Sequence, residues 1–322
     1  MLKSESRNAQ KLHRAREFNY KKIKETYAKY IDPRTGKYAN KYTERRCCPV
    51  CDSKRETKLF ESSGGTYVRC DDCGMVFLNP VFTETALGEF YKQLNAGQAA
   101  IVSNETDFYR EIYGSGLDAI ERHVRPGRLL DLGCSSGFFL DLARVRGWET
   151  YGVELGLAEA ELCKKKNHVL FTQDVEKVDW KVKFDAITLW DVFEHLPHGK
   201  HRLDFLKKML NPQGLIFIQS PNAGGLAPRI MHETCKMFDG LEHVNMYDPK
   251  TIRLIAEKCG MAVIELKTVI SEIAVTNNHL SYVDPYFGTG DFNGSLLLGL
   301  LDARFIHDNL LGYKIQVVLK AS

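Results

Sequence analysis

At 322 residues the chain exceeds the roughly 100–200 residues of an ordinary single domain, so one full-sized domain and a smaller attachment are expected. Its 44% hydrophobic, 26% charged and 11% aromatic residues suffice to build a core and exclude a disordered or collagen-like chain. The net charge of +3 hides an asymmetry: residues 1–46 hold 14 Lys and Arg against 5 Asp and Glu, while residues 47–322 hold 30 against 36.

The chain begins MLKSESRNAQ and stays basic and polar, without the apolar stretch that a secretory signal needs. The apolar run around Leu296 to Leu301 is about a third of the ~20 residues that span a bilayer. A cytoplasmic protein with no membrane span is expected. Between the charges of residues 1–46, Leu12, Phe18, Tyr20, Ile23, Tyr27 and Tyr30 recur at helical spacing. This predicts a basic helical arm that packs on the body or on a second copy in a homodimer. Its charge suits nucleic acid, an acidic membrane surface or an anionic substrate, or serves solvation alone. Asp32-Pro33 and Thr35-Gly36 mark a turn.

Nine cysteines in a reducing compartment make disulfides improbable, so their spacing carries the information. Cys48, Cys51, Cys70 and Cys73 form C-x2-C-x18-C-x2-C, the spacing of a zinc ribbon over residues 47–82. Each C-x2-C turn offers two thiolates, and a full tetrahedron makes the Zn2+ structural. Cys48 is preferred to its neighbour Cys47, which would leave a C-x3-C turn. Residues 58–60 and 66–69 are short enough for a two-stranded hairpin across the metal. A unit this small cannot hold a core without metal. Cys134, Cys163, Cys235 and Cys259 are scattered, as small packed residues are.

Residues 83–114 read as a helical connector, with a helix from Thr83 to Gln93 and a Gly-, Ala- and Asn-containing stretch at 95–104. From about residue 115 to 322, apolar runs alternate with amphipathic segments. This predicts an α/β Rossmann-like domain, a mostly parallel sheet with helices on both faces. Its first strand runs Arg128-Leu129-Leu130-Asp131-Leu132 into Gly133-Cys134-Ser135-Ser136-Gly137 and then a helix. Such a turn lets the backbone approach a ligand in front of a helix N-terminus. The next strand ends in Glu154, 23 positions after Asp131, where an acidic residue can bind both ribose hydroxyls of a nucleoside. Residues 276–312 look like an insertion before a last strand, Tyr313 to Leu319, that covers the substrate or packs as an edge.

The loop D-L-G-C-S-S-G followed by Y-G-V-E resembles the class I S-adenosylmethionine-dependent methyltransferases. The likeness continues through F-T-Q-D-V, F-D-A-I-T-L-W-D-V-F-E-H-L-P and L-N-P-Q-G-L-I-F-I-Q-S-P-N, in order, over about residues 115–270. It implies that Asp131 and the backbone of Gly133, Cys134, Ser135 and Gly137 hold the methionine part of the cofactor, and that Glu154 binds its ribose. It further implies that Asp174 accepts from the adenine amino group, that Val175 supplies an N–H beside it, and that Asp191 sits at the pocket mouth. Asp174 and Asp191 have an alternative reading as helix N-caps.

Methyl transfer to oxygen or an acidified carbon needs a base, and Glu194-His195 and Glu242-His243 each pair the usual candidates. The segment Met237 to Tyr247 resembles the Glu-His segment of zinc-bearing methyltransferases that act on sugars, including nucleotide-linked deoxysugars. The resemblance implies His243 as first candidate base with Glu242 its neighbour; His195 is second and His232 third. A loop histidine satisfied by hydrogen bonds is the alternative for each. Those sugar C-methyltransferases are longer, with a developed C-terminal domain, so O-methylation of a sugar or another small polar metabolite fits as well. An RNA methyltransferase held by ribbon and arm is the alternative. W-D-V-F-E-H after the fourth strand argues against it, because base amino-methylating enzymes carry an Asn/Asp-Pro-Pro-aromatic motif there. A third reading is a binding protein that kept the fold without the activity.

Overall fold

The computed structural model describes residues 25–93, 99, 102, 103, 106–286, 288 and 301–321. Leu12, Phe18, Tyr20 and Ile23 of the arm, most of the 95–104 stretch and the start of the Leu296–Leu301 run lie outside the described residues. Tyr27 and Tyr30 are buried against Phe82 and Phe90, with the Tyr27 and Phe90 rings 4.3 Å apart. Past Tyr30 the helical part of the arm is the short 3-10 turn Asn40–Tyr42. The strands β1 (Ile31–Asp32) and β2 (Lys37–Tyr38) form a hairpin instead. Pro33 cannot continue a helix, and the Asp32 carboxylate accepts the Arg34 N–H at 2.9 Å to set the turn.

The strands β3 (Thr43–Glu44), β4 (Glu56–Ser62), β5 (Gly65–Cys70), β6 (Val76–Leu78) and β7 (Val81–Phe82) build the cysteine-bearing unit. β4 and β5 pair as the hairpin expected from sequence, β5 pairs with β6, and β3 pairs with β7. The helix Glu84–Gln93 follows. The next described helix, Thr106–Glu121, runs across position 115 and packs Phe108, Ile112, Leu117 and Ile120 on the main sheet, so connector and domain share an element.

The main sheet contains β8 (Arg128–Leu132), β9 (Glu149–Val153), β10 (Val169–Phe171), β11 (Phe184–Trp190) and β12 (Leu210–Pro221). After β13 (Asn245–Met246) come β14 (Met261–Val269) and β15 (Lys314–Ala321). The order is β10-β9-β8-β11-β12-β15-β14, parallel except that β15 runs antiparallel between β12 and β14. Alternate residues feed the two faces. Leu130, Ile187, Ile216 and Val317 join one core cluster, while Leu129, Ala186, Leu215 and Val318 join the other. Burial on both faces explains why these strands read as unbroken apolar runs, each large side chain contributing about 1.5–3 kcal/mol. The order reverses between β8 and β11, which opens a crevice at their C-terminal ends. Among the described residues no helix is long and apolar enough to cross a membrane.

β13, which sequence reasoning did not assign, leaves the main domain and pairs with β6 of the cysteine unit, Asn245 opposite Phe77 and Met246 opposite Val76. The cores also merge: Cys48, Val50, Cys70, Met75 and Phe77 belong to the same cluster as Leu130 and Ile216. Arg46 ties the junction. Its guanidinium donates to the carbonyls of Pro197 at 2.6 Å and Val244 at 2.7 Å and to Asn245 Oδ1 at 2.9 Å. Arg46→Met removes the donor to the Pro197 carbonyl and Asn245 Oδ1, while the Val244 carbonyl keeps the Leu78 N–H, and is expected to lower stability by about 2–3 kcal/mol, read as a reduced urea midpoint at unchanged slope.

Candidate active site and cysteine cluster

At the end of β8, Asp131 is buried and accepts from Thr188 Oγ1 at 2.7 Å; burial pushes its carboxyl well above the usual range. Gly133 follows with φ +69°, and a Cβ there would lie 2.6 Å from Val192 Cγ2. Only glycine fits this close approach of loop and neighbouring strand end. The Gly133 and Cys134 N–H groups donate to the Val153 carbonyl, joining the loop to β9. Gly137 closes the turn onto the Cys134 carbonyl at 2.9 Å and stands at the N-terminus of the helix Phe138–Val145. The Cys134 thiol is buried 4.0 Å from that of Cys163.

Glu154, at the end of β9, reaches back to this loop. Its Oε2 accepts the Ser135 N–H at 2.8 Å and its Oε1 the Gly156 N–H at 2.7 Å. Burial raises its carboxyl above the ordinary value, and these two N–H groups oppose the shift. The Ser135 hydroxyl donates to Glu159 at 2.8 Å, a partner that sequence reasoning did not single out. No local pattern marks Glu159, whose role appears only when the helix Leu157–Lys164 folds over the loop.

Asp174 follows β10 and takes its alternative reading as an N-cap. It accepts the Glu176 N–H at 2.9 Å at the start of the turn Val175–Lys177. Arg202 grips both its oxygens, at 2.9 and 3.0 Å. Burial raises the Asp174 carboxyl, but Arg202 and the capping N–H outweigh it and hold the group below 3.8. Val175 is buried beside it, its carbonyl accepting from Trp180 Nε1 at 2.8 Å. Asp191 at the end of β11 is not a cap. It stands at φ +53°, pairs with Lys314 of β15 and accepts from Gln219 Nε2 at 3.2 Å. Lys314 was legible only as a strand residue; the antiparallel insertion of β15 beside β12 brings it to the crevice.

The turn Phe193–His195 after β11 carries Glu194 and His195, and the loop before β13 carries Glu242 and His243. The structure brings both pairs together: the His195 and His243 ring centroids are 5.0 Å apart. One ligand atom from each of Glu194, His195 and His243 lies within 4.8 Å of the others. His232 stands apart, exposed on the turn His232–Thr234. Asp239 organises the second loop, its Oδ1 accepting the N–H groups of Leu241 at 2.7 Å, Glu242 at 3.1 Å and His243 at 3.3 Å. His243 Nδ1 bonds the Met237 carbonyl at 2.7 Å, a bond in which Nδ1 carries the proton and Nε2 remains the acceptor. Burial and the Asp239 charge push Glu242 up to about 8. Burial and His243 pull His195 well below the ordinary imidazole range, opposed by the Glu242 and Asp191 backbones.

The cysteine unit reaches this loop directly. Tyr67 of β5 donates to the His243 carbonyl at 3.1 Å and accepts the Gly240 N–H at 3.2 Å. Gly240, at φ +74°, lies so close to the Ser62 carbonyl that a Cβ there would collide with it. Below the hairpin, Cys48 and Cys73 sulfurs are 3.5 Å apart, as are those of Cys51 and Cys70. All four lie within 4.8 Å of one another. That spacing fits a tetrahedral cation with metal–sulfur bonds of about 2.3 Å. Cys47 is exposed and outside the cluster.

Residues 107–266 match the family model of a methyltransferase domain. Over 107 residues the chain is 29% identical to a ubiquinone biosynthesis O-methyltransferase from Dechloromonas aromatica (strain RCB), covering 30% of this chain and 44% of that protein. The protein of the same name from Azoarcus sp. (strain BH72) is 25% identical over 122 residues, 35% of this chain and 52% of its own length. The chain therefore spans about half the length of these curated relatives. Among solved structures, an S-adenosylmethionine-dependent methyltransferase from Clostridium acetobutylicum ATCC 824 superposes with a TM-score of 0.44 at 11% identity, covering 65% of this chain and 91% of that one. The magnesium protoporphyrin IX methyltransferase of Synechocystis PCC 6803 with bound S-adenosylhomocysteine gives 0.43 at 14% identity, covering 66% and 83%.

Because the folded Asp174 carboxyl lies below 3.8, its contribution to stability is complete above that value and is lost as the pH falls through the lower, folded value. Acid unfolding followed by circular dichroism is expected to be less steep in that range for Asp174→Asn than for the wild-type chain.

Proposed function

We propose that this chain, whose residues 107–266 form a Rossmann-like methyltransferase domain, is a cytoplasmic S-adenosylmethionine-dependent methyltransferase acting on a sugar, a nucleotide sugar or another small polar metabolite. The observation that carries the reading is the convergence, at neighbouring strand ends, of the Glu154-braced loop and the Glu194, His195 and His243 cluster. A nucleoside site and a proton-handling site thus share one crevice. Nine free cysteines agree with a reducing compartment.

S-adenosylmethionine supplies, when bound, an electrophilic methyl group on sulfur. The residues present fit it. Asp131 and the backbone of Gly133, Cys134, Ser135 and Gly137 flank the methionine position, and each Glu154 oxygen, with one lone pair on a backbone N–H, keeps another for a ribose hydroxyl. Asp174 and Val175 border the adenine end, and Asp191, fixed by Lys314, stands at the mouth. On the acceptor side, Met237 holds the His243 ring with Nε2 available to accept a proton, while Glu242 and His195 flank it. Holding acceptor and methyl carbon in line supplies much of the rate. The relatives are named O-methyltransferases, which favours oxygen over carbon as the methylated atom.

Cys48, Cys51, Cys70 and Cys73 suit a structural Zn2+, consistent with four converging sulfurs under a small hairpin. Through Tyr67 and β13 this metal supports the loop of His243. Chelation is therefore expected to lower turnover together with thermal stability, and zinc readdition to restore both.

The test is to incubate the protein with methyl-labelled S-adenosylmethionine and separate panels of nucleotide sugars, small polar metabolites and total RNA. Label in a small molecule supports the proposal; label in RNA alone overturns it. Glu154→Ala is expected to weaken S-adenosylhomocysteine binding about tenfold or more. His243→Ala is expected to leave that binding intact and lower kcat about 10²–10⁴-fold. Wild-type turnover in His243→Ala would remove that residue from the chemistry.

A further inference from the structure

Glu194 lies in the middle of the site, its Oε1 4.0 Å from His195 Nε2. It is 0% exposed, and neither of its oxygens has a hydrogen-bond partner. Lys314, a nearby cation, is committed to Asp191. An ionised carboxylate buried without a hydrogen bond is destabilising, a penalty that a proton or a bound cation relieves. The surroundings are acidic: the charges of Asp191 and Asp239 act on Glu194.

Geometry selects the cation. His195 Nδ1 is buried without a hydrogen bond, and the His243 Nδ1–H bond to Met237 turns Nε2 into a free donor of electrons. A metal-bound histidine is held in this same way, by a carbonyl on its other nitrogen. We propose that Glu194, His195 and His243 bind a divalent first-row cation, distinct from the metal of the four cysteines. Two imidazoles and a carboxylate form a nitrogen–oxygen donor set that leaves coordination positions open, unlike the closed thiolate set. Bonds of about 2.0–2.2 Å require the three ligand atoms to draw in slightly from their present spacing.

An oxygen of the acceptor takes one of the open positions. This part rests on the methyl-transfer reading; cation binding itself does not. An acceptor hydroxyl bound there loses its proton to bulk water more readily, keeping the electron pair on oxygen. That oxygen forms the bond to the methyl carbon as the methyl–sulfur bond breaks and its pair stays on sulfur. His243 then acts through the cation, as ligand, in place of taking the proton itself.

The experiment titrates Co2+ into the zinc-replete full chain, following visible absorption and bound metal after gel filtration. About one further Co2+ per chain is expected, without the intense near-ultraviolet absorption of thiolate–cobalt bonds. Glu194→Gln and His243→Ala are each expected to weaken it at least about tenfold. S-adenosylhomocysteine binding is measured on every variant as the control for folding, and His243→Ala decides should Glu194→Gln fail that control. No cobalt beyond the cysteine cluster, a thiolate band, or unchanged affinity in folded variants overturns the inference. A wild-type chain that binds cobalt but not S-adenosylmethionine keeps the cation site and overturns the methyltransferase reading; the reverse result overturns only the cation site.

Discussion

Two residues of main chain, Asn245 and Met246, pair with Phe77 and Val76, and much of the candidate active site depends on that junction. By joining β6, the strand that follows His243 becomes part of the cysteine unit's sheet. The loop just before it is held from the other side by the Tyr67 hydroxyl and the close Gly240–Ser62 approach. Arg46 adds a clamp on Pro197 and Val244, one on each loop of the histidine pair. The cysteine unit is thus a wall of the site, built into the same core as the main sheet.

The electrostatics of the crevice follow from strand ends. Parallel strands deliver Asp131, Glu154 and Asp191 to one edge, and burial there raises the carboxyls of Asp131 and Glu154. Backbone N–H groups oppose the shift at Glu154, and Asp191 pairs with Lys314. Asp131 has only the Thr188 hydroxyl and Glu194 has no such partner, so these two are the most strongly raised. Asp174, gripped by Arg202, is shifted the other way. Acids at similar strand or loop ends along one crevice thus shift in different directions because their partners differ.

Much of the site was legible because the chemistry that marks it is local. Paired C-x2-C turns place sulfurs on knuckles whatever lies around them, and the four sulfurs do converge. Gly133 is required by the positive φ of its own strand–turn–helix unit, and Glu154 by the end of the next strand. The Glu-His pairs were visible as residue types; their meeting was not, since 48 positions separate His195 from His243 and the contact depends on Phe193 stacking on Tyr247. In the arm, the turn marked by Asp32-Pro33 and Thr35-Gly36 is the bend of the β1–β2 hairpin, whose strand pairing the aromatic spacing did not report.

The sequence by itself determined the α/β alternation, the glycine-rich loop with its acidic partner and the cysteine quartet, each of which rests on contacts within a few tens of residues. Tertiary structure alone decided that β13 crosses to the cysteine unit, that β15 brings Lys314 to Asp191, and that Glu194 is sealed beside two histidines. The physical reason is range. Periodicity and spacing report what a segment does to its own backbone, whereas burial and charge pairing depend on neighbours that arrive from elsewhere in the chain.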